Sequence, residues 1–373
     1  MDSMGIGMLG FGSIGKVHAL AYREIPSLYP SLPAYHLAAV CTNSPETAQA
    51  ASKEGGFARG YSRIRDLLAD PDVTVVDCVL PNHAHKPAIL ECLAAGKPVY
   101  CEKPLALSSE EARELAAAAR AHKTSVGMTF NYRFLPAILK ARQLCQEGAL
   151  GEIYGFHFEY LHGGYQDATR PLTWRMRQEA SGGGALVDLG AHAIDLIRHL
   201  LGEIVEVLAT TKTFITERPV RKGSSEMGPV TVDDAAWVQA RLATGAVGTL
   251  EVSRFVTGSA DDLRFRIEGA RGALKFDLMD ANWLYFFDAE RRGNPGWTRL
   301  ETIQSYPGAA VPPARSIVGW DRAHAENAYR FLKSVFEGKE PDPGITDGVW
   351  VHLVMDAAYA SAAQGGWVRV GAP

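Results

Sequence analysis

Three residues in two separate segments have the chemistry needed to move a proton. Lys103 stands in Cys101-Glu102-Lys103-Pro104, directly after an apolar run that predicts a strand. At the carboxyl edge of a parallel sheet, a lysine with a lowered pKa can assist proton transfer. Asp188 and His192 are four residues apart, so on a helix they share one face, where the aspartate can orient the histidine as a base. We therefore predict that Lys103, Asp188 and His192 are catalytic.

Two further polar residues, Asp195 and His199, continue the same row along a predicted helix. The segment 181–201 has helical period, with three glycines near its start at positions 182–184. A polar row on an otherwise apolar helix is typical of a solvated face, so we expect Asp195 and His199 to face solvent. The glycines leave room for another backbone or a ligand to approach the start of the helix closely.

A glycine-rich turn stands between the first predicted strand and the first predicted helix. Its three glycines fall where a tight turn, close approach of a pyrophosphate and helix-strand packing each exclude a side chain, and the helix N-terminus then faces the phosphates. This context predicts a dinucleotide site. The residues expected to contact the dinucleotide are Gly10, Phe11, Gly12, Ser13, Ile14 and Gly15.

The end of the second predicted strand bears on the choice between NAD and NADP. A carboxylate usually accepts the ribose 2′-hydroxyl at this place, but here Thr42, Asn43 and Ser44 follow the strand. Neutral groups do not repel a 2′-phosphate, and no arginine is present to clamp one. Both cofactors stay open, with a slight preference for NAD, and all three residues are predicted to contact the adenosine ribose.

The pattern of elements predicts an α/β protein. In the first third, short apolar runs alternate with segments of helical period, which indicates a doubly wound parallel sheet, the Rossmann architecture. The predicted strands are Ile6–Gly10, Leu37–Cys41, Val73–Leu80, Pro98–Cys101 and Ser125–Thr129, and the predicted helices are Ile14–Arg23, Pro45–Glu54, Arg63–Leu68, His85–Ala95 and Ser109–Ala121. We assign residues 1–130 to this nucleotide-binding domain.

Residues 131–373 are predicted to form an α/β domain with one large, mainly antiparallel open sheet. Long alternating segments replace the β-α-β rhythm there. The predicted strands are Glu152–His162, Ile204–Ile215, Val230–Leu242, Ala246–Thr257, Leu263–Gly269 and Trp283–Asp288; the predicted helices are Pro136–Gln146, Gly319–Phe336 and Asp347–Ala362; and the predicted long loops are Glu217–Pro229 and Gly293–Pro313. Because one face of such a sheet needs a cover, we expect a homodimer or homotetramer.

Composition narrows the classes of partner. The 373 residues carry a formal net charge of -4, so we expect no binding to nucleic acid. The five cysteines form no C-x-x-C pair, and no apolar stretch approaches the length of a membrane span, which predicts a protein of the reducing cytoplasm without a membrane partner. His83 and His85 lack an acidic partner at ligand spacing, so no metal is expected.

Taken together, these motifs resemble the Gfo/Idh/MocA oxidoreductase family over nearly the whole chain. The glycine fingerprint with the following His18, the turn Pro81-Asn82-His83-Ala84-His85, the Glu102-Lys103-Pro104 signature and the pair Asp188 and His192 match it. The resemblance implies a Rossmann domain, a second domain whose open sheet commonly mediates oligomerisation, and nicotinamide-dependent oxidation or reduction of a sugar or cyclitol. It also implies that Pro81, Asn82, His85, Glu102 and Lys103 contact the cofactor.

Secondary motifs are similar to the subgroup that acts on unphosphorylated sugars, which includes levoglucosan and glucoside 3-dehydrogenases. They include Asn131-Tyr132-Arg133, Trp174-Arg175 and the segments around Asp233 and Arg254. The residues expected to contact such a sugar are Lys103, Arg133, Tyr165, Trp174, Arg175, Asp188 and His192. Two alternatives stay open: a non-catalytic dinucleotide-binding redox sensor, and a catalyst of oxidative glycoside cleavage that retains its NAD.

Overall fold

A computed structural model describes residues 3–293, 295–302, 306–311, 313 and 316–373. The chain divides into two compact units, Met1–Phe134 with Gln304–Val349 and Leu135–Ile303 with Trp350–Pro373. Among the described residues, no helix combines the length and the apolar character needed to cross a bilayer.

The first unit contains the predicted doubly wound sheet. Its strands are β1 (Met4–Leu9), β2 (Tyr35–Cys41), β3 (Arg59–Tyr61), β4 (Val75–Cys78), β5 (Val99–Cys101) and β6 (Val126–Met128), and its first helices are α1 (Ser13–Leu28), α2 (Pro45–Gly55), α3 (Ile64–Ala69), α4 (His85–Ala94) and α5 (Ser109–His122). The six strands lie in the order β3-β2-β1-β4-β5-β6, with every neighbouring pair parallel. The strand order reverses between β1 and β4, where doubly wound folds bind ligands at the carboxyl ends of the strands.

The second unit is built on a nine-stranded sheet. Its helices are α6 (Pro136–Gln146), α7 (Gln178–Ser181), α8 (Ala185–Asp188) and α9 (Gly190–Leu201). Its strands are β7 (Ile153–Leu161), β8 (Ile204–Lys212), β9 (Glu217–Pro219), β10 (Met227–Pro229), β11 (Ala235–Leu242), β12 (Val247–Ser253), β13 (Asp262–Gly269), β14 (Gly272–Asp277), β15 (Trp283–Asp288), β16 (Trp297–Glu301) and β17 (Val368–Arg369). The sheet order is β16-β15-β14-β13-β7-β12-β11-β8-β17. All neighbours are antiparallel except β7 and β12, which are parallel.

This sheet buries one face and exposes the other. Helices α8 and α9 contact the central strands β7, β11 and β12. Residues alternate between buried and exposed along β11 and β12, and Trp237 and Val247 stand on the uncovered side. The period-2 alternation that predicts half-buried strands is therefore present, and the prediction of a large, mainly antiparallel open sheet is confirmed.

Three local predictions need correction. The predicted loop Glu217–Pro229 includes β9 and β10, which pair with each other in an antiparallel ribbon. The predicted loop Gly293–Pro313 includes β16, which pairs with β15; residues 294, 303–305 and 312 of that loop lie outside the described residues. Both errors have one cause: Gly and Pro residues interrupt the local pattern in these two segments, so pairing with another strand defines the strands more than that pattern does.

The predicted helix over 181–201 is also interrupted. Helix α8 ends at Asp188 and α9 begins at Gly190, with Leu189 between them. Asp195 is 1% exposed, so the expectation that it faces solvent is wrong. Most residues of α9 are buried, including its small residues Gly190, Ala191 and Ala193, because the helix lies against the sheet and is also covered on its other sides.

The chain returns to the first unit through α10 (Trp320–Glu337), and α11 (Ile345–Gln364) follows. Helix α10 packs against α1: the Tyr29 and Tyr329 rings stack with centroids 3.5 Å apart, and the Tyr29 hydroxyl donates to Glu326. The division of the chain predicted from the sequence lies at a single point, after residue 130. It therefore does not anticipate that residues 304–349 join the N-terminal unit.

Candidate active site

The glycine-rich turn connects β1 to α1 and has an open, uncapped helix N-terminus. Gly10 has φ 91°, a conformation that favours glycine. A Cβ added at Gly15 would lie 3.2 Å from Gly10 O, whereas one at Gly12 would meet no described atom within 4 Å. Among the described residues, no side chain caps α1 at Gly12. The turn can therefore admit a phosphate to the first amides of α1.

The carboxyl ends of four strands meet at this edge of the sheet. Cys41 of β2 and Cys78 of β4 both lie in register with Leu9 of β1, and Cys101 of β5 lies in register with Cys78. The segments predicted to contact the cofactor each follow one of these strand ends: 10–15, 42–44, 81–85 and 102–103. The parallel topology thus brings together residues that are up to 93 positions apart in sequence, from Gly10 to Lys103.

The turn after β2 separates the roles of its three polar residues. Ser44 caps α2 by accepting from the Thr47 amide at 3.2 Å, and the Thr42 hydroxyl lies 2.7 Å from the Thr47 hydroxyl. Asn43 is exposed, and no hydrogen bond of its side chain occurs within the described part of the chain. Of the three predicted ribose contacts, Asn43 has the side chain that is most available to a ligand.

His85 is fully buried and connects the loops after β4 and β5. Its Nε2 lies 2.8 Å from Leu80 O and its Nδ1 lies 2.8 Å from Pro104 O. Burial lowers the pKa of His85, and a neutral ring donates to only one of these carbonyls at a time. This arrangement favours a role in holding the two loops together; a direct contact of His85 with a cofactor stays a prediction.

Lys103 follows Glu102, whose carboxylate is buried. Glu102 Oε2 accepts the Lys103 amide proton at 3.1 Å, and Glu102 Oε1 lies 3.2 Å from His18 Nε2. His18 Nδ1 in turn lies 2.9 Å from Asp77 Oδ2. Both oxygens of the Glu102 carboxylate therefore have hydrogen-bond partners within the protein. The predicted contact of Glu102 with a cofactor stays a prediction.

In the second unit, Asp188 is held by a buried arginine that has no role in the sequence-based site. Arg254 Nη2 donates to Asp188 Oδ2 at 2.9 Å, and its guanidinium lies 4.7 Å from the centroid of the Tyr165 ring. Burial by itself would lower the pKa of Arg254, but Asp188 and the other nearby acidic groups outweigh it and raise that pKa. The Asp188 side chain is 31% exposed. It is thus a fixed carboxylate that a ligand can reach.

His192 stands four residues further on, in α9, beside an aromatic ring whose hydroxyl contacts a second acidic group. Its ring lies edge-on to Tyr160 with centroids 6.1 Å apart. The Tyr160 hydroxyl donates to Asp261 at 2.7 Å, and His162 lies 2.8 Å from the same carboxylate. Burial raises the pKa of Asp261, but His162, Tyr160 and His192 lower it overall. Asp261, which Tyr160 connects to the surroundings of His192, is a group that the sequence reasoning missed.

Asp233 fixes the start of the Asp188 segment. Its carboxylate accepts from the Gly184 and Leu186 amides at 2.8 and 2.9 Å and from the Tyr359 hydroxyl at 2.6 Å. A Cβ added at Gly184 would lie 1.7 Å from the Asp233 carbonyl oxygen. The prediction that these glycines leave room for another backbone is confirmed at Gly184. The feature of the sequence that could have pointed to Asp233 and Arg254 is that each is a charged residue next to an apolar strand.

The remaining predicted sugar contacts differ in exposure. Tyr165 and Trp174 are half-buried and Arg175 is exposed, with its guanidinium 4.4 Å from the Trp174 ring centroid. Arg133 is buried, and its two terminal nitrogens donate to Asp342 and Asp347 at 2.9 Å each. This pairing favours a structural role for Arg133 over the predicted substrate contact.

Among the residues that the structure describes, two buried clusters have ligand types that metals use: Cys78 with His85 and Cys101, and His18 with Glu102 and His324. In the first cluster, both ring nitrogens of His85 face carbonyl oxygens. In the second, both ring nitrogens of His18 face carboxylates. A nitrogen that carries a proton has no lone pair for a metal. Hydrogen bonding thus accounts for His85 and His18, whereas neither ring nitrogen of His324 has a hydrogen-bond partner within the described part of the chain. The expected absence of a metal stays a prediction.

Comparisons with known proteins agree with the motifs over both domains. Residues 4–130 match the family model described as "Oxidoreductase family, NAD-binding Rossmann fold", and residues 138–275 match the "GFO/IDH/MocA C-terminal domain". The chain is 34% identical to levoglucosan dehydrogenase of Pseudarthrobacter phenanthrenivorans, over 99% of both chains. It is 27% identical to inositol 2-dehydrogenase of Rhizobium meliloti, over 96% of both chains.

Solved structures of oxidoreductases also superpose on this chain over nearly its full length. Levoglucosan dehydrogenase in complex with NADH and levoglucosan superposes with a TM-score of 0.95 at 34% identity, covering 99% of this chain and 100% of the other. An oxidoreductase domain protein from Kribbella flavida superposes with a TM-score of 0.94 at 34% identity, covering 100% of both chains.

Proposed function

The chain belongs to the Gfo/Idh/MocA family of oxidoreductases, as an NAD-dependent enzyme that transfers hydride between a sugar or cyclitol and nicotinamide, and we propose that its substrate is an unphosphorylated anhydrosugar or a closely related pyranose. The observation that carries this choice is the full-length likeness to levoglucosan dehydrogenase at a TM-score of 0.95. The two curated relatives named above are both dehydrogenases. They support the dehydrogenase function and neither of the two alternatives, the redox sensor and the catalyst of oxidative glycoside cleavage.

The fit of NAD to the first unit rests on the glycine turn. Gly10 allows the turn, the space beside Gly12 is open, and the α1 amides are uncapped within the described chain. These features suit a pyrophosphate. When bound, NAD supplies the hydride acceptor. We assign the first unit to cofactor binding, and the second to the sugar and to oligomerisation.

The proposed roles of the side chains follow their chemistry. His192 takes the proton of the hydroxyl that is oxidised, since an imidazole is a base near neutral pH. The Lys103 ammonium polarises the same oxygen. Asp188, which Arg254 holds at 2.9 Å, accepts a hydrogen bond from a neighbouring sugar hydroxyl and so orients the ring. Trp174 offers an aromatic face to the apolar side of a pyranose, with Tyr165 and Arg175 as further contacts.

A substrate panel tests this function. The purified protein is mixed with NAD or NADP and levoglucosan, glucosides, free pyranoses or inositols, and the absorbance of reduced nicotinamide is followed. We expect levoglucosan or another unphosphorylated pyranose to give the highest kcat/KM. Preference for a phosphorylated sugar or for an inositol would overturn the substrate class, and reduction by no sugar or cyclitol would overturn the function.

Cofactor choice should depend on Asn43, because Thr42 and Ser44 use their hydroxyl groups within the turn. Asn43→Asp should raise the NAD to NADP ratio of kcat/KM by about tenfold, since a carboxylate repels the 2′-phosphate. Asn43→Arg should lower that ratio by a similar factor. Kinetics with both cofactors check this. An unchanged ratio in both variants would show that Asn43 does not face the ribose.

We propose that the uncovered sheet face joins copies of the chain into a homodimer or homotetramer. Trp237 lies on this face in a central strand and is 41% exposed. Aromatic and basic side chains also cover β14, β15 and β16 at the other end of the sheet, with Lys275 Nζ 4.0 Å from the Trp297 ring centroid and the Arg299 guanidinium 3.9 Å from that of Trp283. Such exposed aromatic surface is typical of interfaces.

Light scattering should give two or four times the monomer mass. Trp237→Glu should shift the protein to a smaller species, because it places a charge at the centre of the interface. The control Ile317→Glu changes a residue that is 80% exposed and outside this sheet, and it should keep the assembly. A monomeric wild type, or an assembly that Trp237→Glu leaves intact, would contradict the interface.

We place the protein in the cytoplasm and expect neither nucleic acid nor a membrane as partner. All five cysteines are free thiols, four of them buried, and the net charge is -4. Free thiols suit a reducing compartment, and a slightly acidic chain has no excess positive field to attract a polyanion.

A further inference from the structure

A charged cluster lies inside the first unit, beneath the loop that carries Lys103. It consists of His18 on α1, Asp77 on β4 and Glu102 after β5, and their exposed fractions are 1%, 0% and 7%. The His18 ring stands between the two carboxylates, at 2.9 Å from Asp77 Oδ2 and 3.2 Å from Glu102 Oε1. Since a carboxylate only accepts hydrogen bonds, both ring nitrogens of His18 donate, and the ring is an imidazolium.

Electrostatics agree with this protonation state. Burial by itself would lower the pKa of His18, but Asp77 and Glu102 outweigh it and raise that pKa to about 10. For Glu102 burial would raise the pKa, but His18 and Lys103 lower it to about 2. His324 lies beside His18 with ring centroids 5.6 Å apart, and burial together with the His18 charge lowers its pKa to about 3. At neutral pH, His18 is therefore charged and His324 is neutral.

Glu102 transmits this arrangement to Lys103. One carboxylate oxygen accepts from His18, and the other accepts the Lys103 amide proton at 3.1 Å. The Glu102 amide also donates to Cys78 O at 3.0 Å. The backbone from which the Lys103 side chain extends is thus held on one side by the end of β4 and on the other by a carboxylate that His18 orients.

We propose that His18 is a positioning residue for Lys103: the imidazolium fixes the Glu102 carboxylate, and that carboxylate fixes the Lys103 backbone. This inference rests on the proposed function insofar as Lys103 polarises the reacting oxygen. A merely structural role of His18, in which it only joins α1 to β4 and β5, predicts a loss of stability that does not depend on which residue stands at position 103.

A double-mutant cycle separates the two roles. The variants are His18→Asn, Lys103→Ala and the double substitution, with kcat, the KM for the sugar and the Kd for NADH measured in each. His18→Asn should lower kcat by about tenfold to a hundredfold, since misplacing a catalytic group costs this much, and should leave the Kd for NADH nearly unchanged. In the Lys103→Ala background, the same substitution should change kcat less than about twofold. Equal losses in both backgrounds would overturn the proposal.

A second readout does not depend on turnover. Hydrogen exchange of the Lys103 amide, followed by mass spectrometry of the peptide containing residues 102–107, should be at least about tenfold faster in His18→Asn, because Glu102 no longer has a fixed partner. Glu102→Gln should show the same effect and replaces His18→Asn if that variant does not fold. The control His36→Asn repeats the substitution at an exposed His–Asp pair and should leave this peptide unchanged. Unchanged exchange in both network variants would overturn the proposal even if no substrate is found.

Discussion

Lys103→Ala and His192→Ala are each expected to lower kcat by about a hundredfold or more while the Kd for NADH stays nearly constant. In the proposed reaction one residue polarises the reacting oxygen and the other takes its proton, and loss of a general base or acid costs about this factor. Steady-state kinetics with the sugar that the panel selects, beside titration of the cofactor by nicotinamide fluorescence, give both quantities.

Matched controls are available on the first unit. Lys53→Ala and His122→Ala repeat the two substitutions at exposed positions in the last turns of α2 and α5, and both should keep wild-type kinetics. If Lys103→Ala or His192→Ala turned over substrate at nearly the wild-type rate, that residue would not be catalytic. A loss confined to cofactor binding would instead make Lys103 a contact of the nicotinamide ribose.

Gly184→Ala is expected to lower the free energy of unfolding by about 3 kcal/mol or more, at the upper end of the cost of overpacking. The new methyl group would lie 1.7 Å from the Asp233 carbonyl oxygen, and because that oxygen belongs to the backbone, it cannot rotate away. The start of α8 would have to move, and with it Asp188 and His192. Urea unfolding followed by circular dichroism measures the loss.

Gly296→Ala serves as the control, since its methyl group would meet no described atom within 4 Å, and it should change the free energy of unfolding by less than about 0.5 kcal/mol. A Gly184→Ala protein of wild-type stability would contradict the close approach of the backbones at positions 184 and 233.

Local patterns in the sequence predict the parts of the fold that neighbours in sequence determine. The glycine turn, the β-α-β rhythm and the spacing of Asp188 and His192 are of this kind, because each depends on residues within one or two turns of chain. The short strand β16 depends on its pairing with β15 across a stretch of loop, so nothing local predicts it.

Contacts between residues far apart in sequence stay hidden for the same reason, even where the residues themselves stand in recognised motifs. Arg254 reaches Asp188 across 66 positions, and His18 reaches Glu102 across 84. Asp195 shows the opposite error: its spacing suggests a solvated row, yet it is 1% exposed because neighbouring elements cover α9 on several sides. Amphipathic period alone does not reveal how many faces of a helix are covered.

The central claim is hydride transfer from a carbon of the sugar ring to nicotinamide, and isotope transfer tests it most directly. The sugar that the panel selects is prepared with deuterium at the oxidised carbon and incubated with NAD in excess, and the reduced cofactor is analysed by mass spectrometry. We expect one deuterium atom in each molecule of reduced nicotinamide formed, with the label at C4. Reduced cofactor without deuterium, or sugar conversion with no accumulation of reduced cofactor, would contradict it.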